Sequence, residues 1–200
     1  MKLLISDVEK KLGKKIRKDS IAIGFDVAEA NTGHCVLKST QDEIIIESIG
    51  VIQTSTKEDT VNRMNSFLNS LEKLKQDWGK YKQFRIVVVE DCFMGANVFT
   101  LKHLCRFSAL VWVTYHKECD SLIFLMPNSA RSIVGFNKNA QMKDTKLEKK
   151  IISKGKNKGK EKKIDLKKLV QEYLKETFGI DLTNSDQADA FVLALAGLLK

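Results

Sequence analysis

Asn184-Ser185-Asp186-Gln187-Ala188-Asp189-Ala190-Phe191-Val192-Leu193-Ala194-Leu195-Ala196 is the stretch on which the fold turns. After Asp189 it is almost purely apolar, so it predicts a helix buried around most of its circumference. It opens with Asp186 and Asp189, three residues apart, a spacing that sets both carboxylates on one helical face. Acids in a first turn also suit the helix dipole and cap free N–H groups. A metal-binding role for this helix end therefore depends on partner carboxylates elsewhere in the chain.

Working outward, the bulk composition narrows the classes. The 200 residues are 43% hydrophobic and 30% charged, with one Pro and 11 Gly, which describes one globular domain with a real core. The formal charge of +9 and the pI of about 9.3 favour an anionic partner, nucleic acid first. Cys35, Cys92, Cys105 and Cys119 form no C-x-x-C pair, so neither a zinc site nor a disulfide framework is expected, and they read as reduced thiols of an intracellular protein. No apolar run approaches membrane-span length, and Met1-Lys2-Leu3-Leu4-Ile5 is too short for a signal peptide.

Residues 1–19 form a basic N-terminal extension. Ser6-Asp7-Val8-Glu9 has capping-box form and predicts a short helix to about Ile16, read as a solvated flap with an arm on DNA as the alternative. From Ser20 to Asp26 an apolar run ends in an acid, the pattern of a buried strand. Asn31-Thr32-Gly33 reads as a turn, and Cys35–Leu37 and Glu43–Ile52 as two further strands of an antiparallel meander. A long helix follows from a Thr56 cap to Trp78. Phe84–Glu90 is another buried strand ending in an acid, placed parallel to the first because a helix precedes it. Residues 96–118 predict a helix apolar nearly all round, packed on the sheet with one side and on a second subunit with the other, or enclosed in a thick monomer core. Leu122–Met126 is a fifth strand.

The composition then breaks. Lys143–Lys168 holds twelve Lys and four acids, with Gly155 and Gly159 near its centre. Such a run suits a solvated face or a phosphate-binding loop. The Lys-rich insertion spans about 137–163, within a single domain at 20–200. An amphipathic helix from about Ile164 to Phe178 precedes the last one.

Asp26 and Glu90 end two strands expected to lie parallel, so their side chains emerge at one sheet edge, where α/β ligands bind. With the last helix opening at that edge, Asp26, Glu90, Asp186 and Asp189 converge. Four crowded carboxylates require cations. Mg²⁺ fits such hard oxygen donors. Two ions ~4 Å apart clamp an in-line displacement at phosphorus. His34, His103 and His116 are scattered and read as structural.

Four stretches resemble, in order, the RuvC family of Holliday junction resolvases within the ribonuclease H-like superfamily. They are Ile23-Gly24-Phe25-Asp26 with Asn31-Thr32-Gly33; Val88-Val89-Glu90-Asp91-Cys92-Phe93-Met94; Pro127-Asn128-Ser129-Ala130-Arg131 with Val134-Gly135; and Asp186-Gln187-Ala188-Asp189-Ala190. The resemblance implies a five-stranded mixed sheet, three strands antiparallel and two parallel, flanked by helices. It implies a homodimer, joined through the helix at 96–118, that nicks two strands of a four-way DNA junction symmetrically. It implies catalytic and metal-ligand roles for Asp26, Glu90, Asp186 and Asp189, with two Mg²⁺ per site and Mn²⁺ as a substitute. Phe93 falls on the aromatic that the family inserts near the crossover, and Arg131 on a basic residue near the scissile phosphate. Lys138, Lys143, Lys154, Lys156, Lys158 and Lys160 are the further expected DNA contacts. The chain departs from the family in Val27-Ala28-Glu29-Ala30, which replaces a usual Pro-Gly, in the longer Lys-rich insertion and in residues 1–19. These departures suggest a divergent member of viral or phage type. Another ribonuclease H-like nuclease, acting on hybrids or on branched DNA generally, and a non-catalytic nucleic-acid-binding module are the alternatives.

Overall fold

Ser20–Asp26 is buried along its whole length, because it runs through the middle of a mixed sheet. The structure, a computed structural model, describes residues 1–78, 83–92, 97–144 and 165–199. In chain order the elements are β1 (Lys2–Leu4), α1 (Ile5–Leu12), β2 (Ser20–Asp26), β3 (Asn31–Ser39), β4 (Glu43–Gln53), α2 (Thr60–Trp78) and β5 (Phe84–Glu90). They continue as α3 (Val98–Tyr115), β6 (Ser121–Leu125), α4 (Pro127–Ile133), α5 (Lys138–Asp144), α6 (Leu166–Phe178) and α7 (Ser185–Leu198). The strand order is β1-β4-β3-β2-β5-β6. β2, β3 and β4 form the antiparallel meander, and β5 and β6 lie parallel to β2 and to each other in sequence.

The sheet has six strands, one more than the pattern predicts. The extra strand is β1, which pairs antiparallel with β4 from Lys2↔Ile45 to Leu4↔Glu43. Residues 1–19 are not a flap: Ile5, Val8 and Ile16 are buried, and the Arg17 amide donates to the Leu198 carbonyl at 2.8 Å. A three-residue strand is too short to show alternation, so its sequence carries no signal. Asn31-Thr32-Gly33 is likewise not a turn but the start of β3, with Gly33 opposite both Asp26 and Val51.

Side chains alternate between two cores. On one face Ala22, Cys35, Leu37 and Val88 meet α7, which is also covered by α4 and α6. That double cover explains a helix buried at every position from Ala188 to Leu198. On the other face Ile21, Ile23, Phe25, Val87 and Val89 meet Phe67 and Leu71 of α2 and Phe107, Val111 and Tyr115 of α3. α3 is not enclosed. Phe99, Trp112 and Val113 on it are 73%, 46% and 56% exposed.

Two glycines set how closely α7 approaches. A Cβ on Gly24 would lie 2.3 Å from the Ala190 carbonyl oxygen, and one on Gly33 would lie 2.0 Å from that of Asp186. The first turns of α7 therefore rest on bare backbone of β2 and β3. This contact brings the acidic helix end to the edge where β2 stops.

Candidate active site

β2 and β5 run parallel in register, Ser20↔Phe84 through Phe25↔Val89, so Asp26 and Glu90 finish side by side. Alternation puts Ala22, Gly24 and Asp26 on the α7 face of β2, and Ile86, Val88 and Glu90 on the same face of β5. The two acids act on one another electrostatically. From across the sheet α7 adds Asp189, 6% exposed. Asp26, Glu90 and Asp189 line one cleft of about 390 Å³ with Met126, Pro127, Asn128, Arg131, Leu166 and Lys167.

The start of α7 is capped by Asn184, whose side chain accepts from the amides of Asp186 and Gln187 at 2.8 and 3.1 Å. Asp186 and Asp189 are thereby released from capping, the ordinary duty of acids in a first turn. They face cations instead. Arg131, 9% exposed, donates to Asp189 at 2.8 Å, and Lys167 Nζ donates to Asp186 at 2.8 Å and lies 3.9 Å from Asp189. Asp186 thus stands at the rim, tied to the cleft through Lys167.

The charge balance of the cleft is tilted. Burial, together with the hydrogen bond and negative charge of Glu90 and the charge of Asp189, pushes the Asp26 carboxyl up to about 10. Lys167 offsets only part of that. For Lys167 itself burial works against the ammonium. The hydrogen bond to Asp186 and the charges of Asp26, Asp186 and Asp189 outweigh it and raise its pKa. As the side chains stand, no three acids, His or Cys among the described residues close around a point that would seat a metal. The donor chemistry still fits a divalent cation. A carboxyl whose pKa is raised chiefly by burial, and further by two neighbouring acids, marks a site short of positive charge, and the oxygens of these acids are hard donors.

The other expected residues divide. Lys138 is exposed at the start of α5 and lines a second cleft that shares Asn128, Arg131 and Leu166 with the first. Lys143 belongs to the last turn of α5. Phe93, Lys154, Lys156, Lys158 and Lys160 lie outside the described residues. Sequence reasoning does not reach Lys167 as a site residue. It stands in a run of twelve lysines, and only the Asp165 cap that starts α6, accepting from the Lys167 amide at 3.0 Å, distinguishes its position.

Among the described residues no helix is long and apolar enough to cross a membrane. No curated protein matches the chain by sequence. Among solved structures, Thermus thermophilus RuvC in complex with Holliday junction substrate is 13% identical with a TM-score of 0.62, covering 88% of this chain and 91% of that one. A second Thermus thermophilus RuvC structure is 14% identical with a TM-score of 0.60 over 88% and 92%. The yeast mitochondrial Holliday junction resolvase is 13% identical with a TM-score of 0.53 over 96% and 82%. At such identities the likeness is one of fold. The family model for crossover junction endodeoxyribonuclease RuvC matches residues 22–165, the span that carries Asp26, Glu90 and Arg131. With the ribonuclease H-like mixed sheet and that match over most of its length, the chain belongs to the RuvC family of crossover junction endodeoxyribonucleases.

Proposed function

We propose that the protein is a divalent-cation-dependent endonuclease that resolves four-way DNA junctions by paired nicks, acting as a homodimer. The observation that carries this reading is the convergence of Asp26 and Glu90, from adjacent parallel strands, with Asp189 of α7 in one cleft that also holds Arg131 and Lys167. Asp26, Glu90, Asp186 and Asp189 would hold Mg²⁺ or Mn²⁺. The bound cations would supply charge neutralisation at phosphorus and a water made acidic enough to attack it.

The chain's own residues do the rest. Arg131 and Lys167 stand beside the acids and offer hydrogen-bond donors to the oxygens of an entering phosphate. Cations on the carboxylates would loosen both basic side chains from their acid partners, so that each can turn to the DNA. Rigid support comes from below: β2 and β5 are buried strands, and Gly24 and Gly33 seat α7 directly on them. The exposed apolar side of α3, with Phe99, Trp112 and Val113, is the face for a second copy, which would give the two active sites that paired nicking needs.

The test is cleavage of a synthetic four-way junction in Mg²⁺ by the wild type and by Asp26→Asn. The asparagine mimics the neutral carboxyl that burial already favours, so the variant folds, while losing a cation ligand. Its cleavage rate is expected to fall by at least ~100-fold. Equal rates, or equal cutting of a plain duplex by the wild type, would reject the reading.

A further inference from the structure

The connection that follows Asp26 has none of the residues that usually make turns. Val27-Ala28-Glu29-Ala30 joins β2 to β3 without Gly, Pro, Asn, Asp or Ser, the residues whose local chemistry holds a short connection in shape. Asp26 itself pairs with Gly33 in the last rung of the hairpin. Whatever fixes these four residues also fixes the backbone from which the Asp26 carboxylate projects.

The hold comes from outside the loop. The Thr32 hydroxyl accepts from the Ala28 amide at 3.2 Å and donates to the Ala28 carbonyl at 2.9 Å. Thr54, one residue past β4, donates its hydroxyl to the Glu29 carbonyl at 2.6 Å and its amide to the Ala30 carbonyl at 2.9 Å. The third hold is a charge. Arg63 of α2 is 7% exposed; its Nη2 donates to the Glu29 carbonyl at 2.6 Å, and its Nη1 pairs with the Glu29 carboxylate. From α3, His103 brings Nδ1 to 3.2 Å from the same carboxylate oxygen. Glu29 is therefore gripped by main chain and side chain at once, between two helices.

Resting on the proposed function, we propose that Arg63 is a positioning residue for Asp26: it clamps the loop after β2 through Glu29 and so sets the carboxylate that receives the cation. Arg63 does not line the active-site cleft, so it acts on the chemistry only through that loop. A buried guanidinium is costly unless its donors are used. Here the planar fork takes a carbonyl and a carboxylate of one residue together, which the single ammonium of a lysine cannot reproduce. Groups that orient a metal ligand without touching the metal control its affinity nearly as firmly as the ligand does.

The experiment removes the guanidinium and keeps an apolar stem. Arg63→Met and the wild type are compared below their melting ranges, by calorimetry with Mn²⁺ and by cutting of a four-way junction. In the variant Mn²⁺ binding is expected to weaken about tenfold and kcat to fall about tenfold, with KM for the junction unchanged. Added guanidinium ion should restore part of both losses in Arg63→Met and leave the wild type as it was. Arg63→Lys, which keeps the charge without the fork, should fall between the two. If Arg63→Met does not fold, Glu29→Ala carries the test: Glu29 is partly exposed, the loop carbonyl still holds Arg63, and the same two losses are expected at smaller size. A variant that melts earlier yet binds Mn²⁺ and turns over like the wild type makes Arg63 a stabilising residue only and overturns the proposal. So does a loss that neither guanidinium nor Arg63→Lys relieves, or a Glu29→Ala protein with wild-type Mn²⁺ binding and kcat. A wild type that binds Mn²⁺ but cuts no junction rejects the function reading instead, and the calorimetry still decides the clamp.

Discussion

Asp26 and His34 stand on neighbouring strands, and burial acts on both in favour of the neutral form. It lifts the Asp26 carboxyl and depresses the His34 imidazole. His34, 8% exposed, pairs across the sheet with Phe25 and Gly50, covers the bare backbone of Gly50, and leaves its Nδ1 without a hydrogen bond. Its folded pKa lies below the ordinary histidine value of about 6.5. Between those two values the unfolded chain binds a proton that the folded chain refuses. Stability from this residue is therefore present above about pH 6.5 and is lost as the pH falls through that window. His34→Phe removes the proton-binding difference. Urea midpoints measured at pH 7.5 and 5.5 should differ less for the variant than for the wild type, and an undiminished difference would show that another group carries the slope. The candidate acids are legible because each stands at the end of an apolar run: Asp26 and Glu90 close one, and Asp186 and Asp189 open one. Lys167 is not, because nothing in a lysine-rich run marks the one that folding carries to the cleft.

At the scale of elements, the sequence reading recovers β2 and β5 with their bounds, and α7 with its start one residue early. Long apolar runs bounded by charge leave little choice of structure. It fails where short-range chemistry and long-range packing ask for the same residue. Asn31-Thr32-Gly33 has the composition of a turn. Gly33 is nevertheless a strand residue, because only hydrogen in place of a side chain lets the Asp186 carbonyl come so close. That requirement comes from α7, about 150 residues away, and no local window contains it. Gly33→Ala tests the reading. The added methyl must push the first turn of α7 off β3, an overpacking worth roughly 1–3 kcal/mol or more. The urea midpoint should fall. Divalent-cation binding, followed by calorimetry below the unfolding range, should weaken at the same time, because Asp186 and Asp189 move with that turn. A variant that loses stability yet binds cations like the wild type would mean that the helix end is not seated by this contact.

For the whole molecule, the uneven covering of its helices is what supports the proposed dimer. Beyond its first turn α7 is apolar all round and is covered by the sheet, α4 and α6. α3 is also apolar nearly all round, yet only the side bearing Phe107, Val111 and Tyr115 is covered. Phe99, Trp112 and Val113 remain open to solvent on the other side. A second copy applied to that side hides the same surface on both partners, as a two-fold interface requires. Paired cutting of a junction needs both active sites held in one complex, so assembly and outcome are linked. Val113→Asp places an unpaired charge in the proposed interface and leaves the covered side of α3 untouched. Sedimentation should find it monomeric at concentrations where the wild type is a dimer. On a supercoiled plasmid with an extruded cruciform, the wild type should give linear product from two nicks made within one encounter. The variant should give mainly nicked circles, because its second cut awaits a second, independent binding event. A monomeric Val113→Asp that still linearises the plasmid at the wild-type ratio would separate paired cutting from this face of α3.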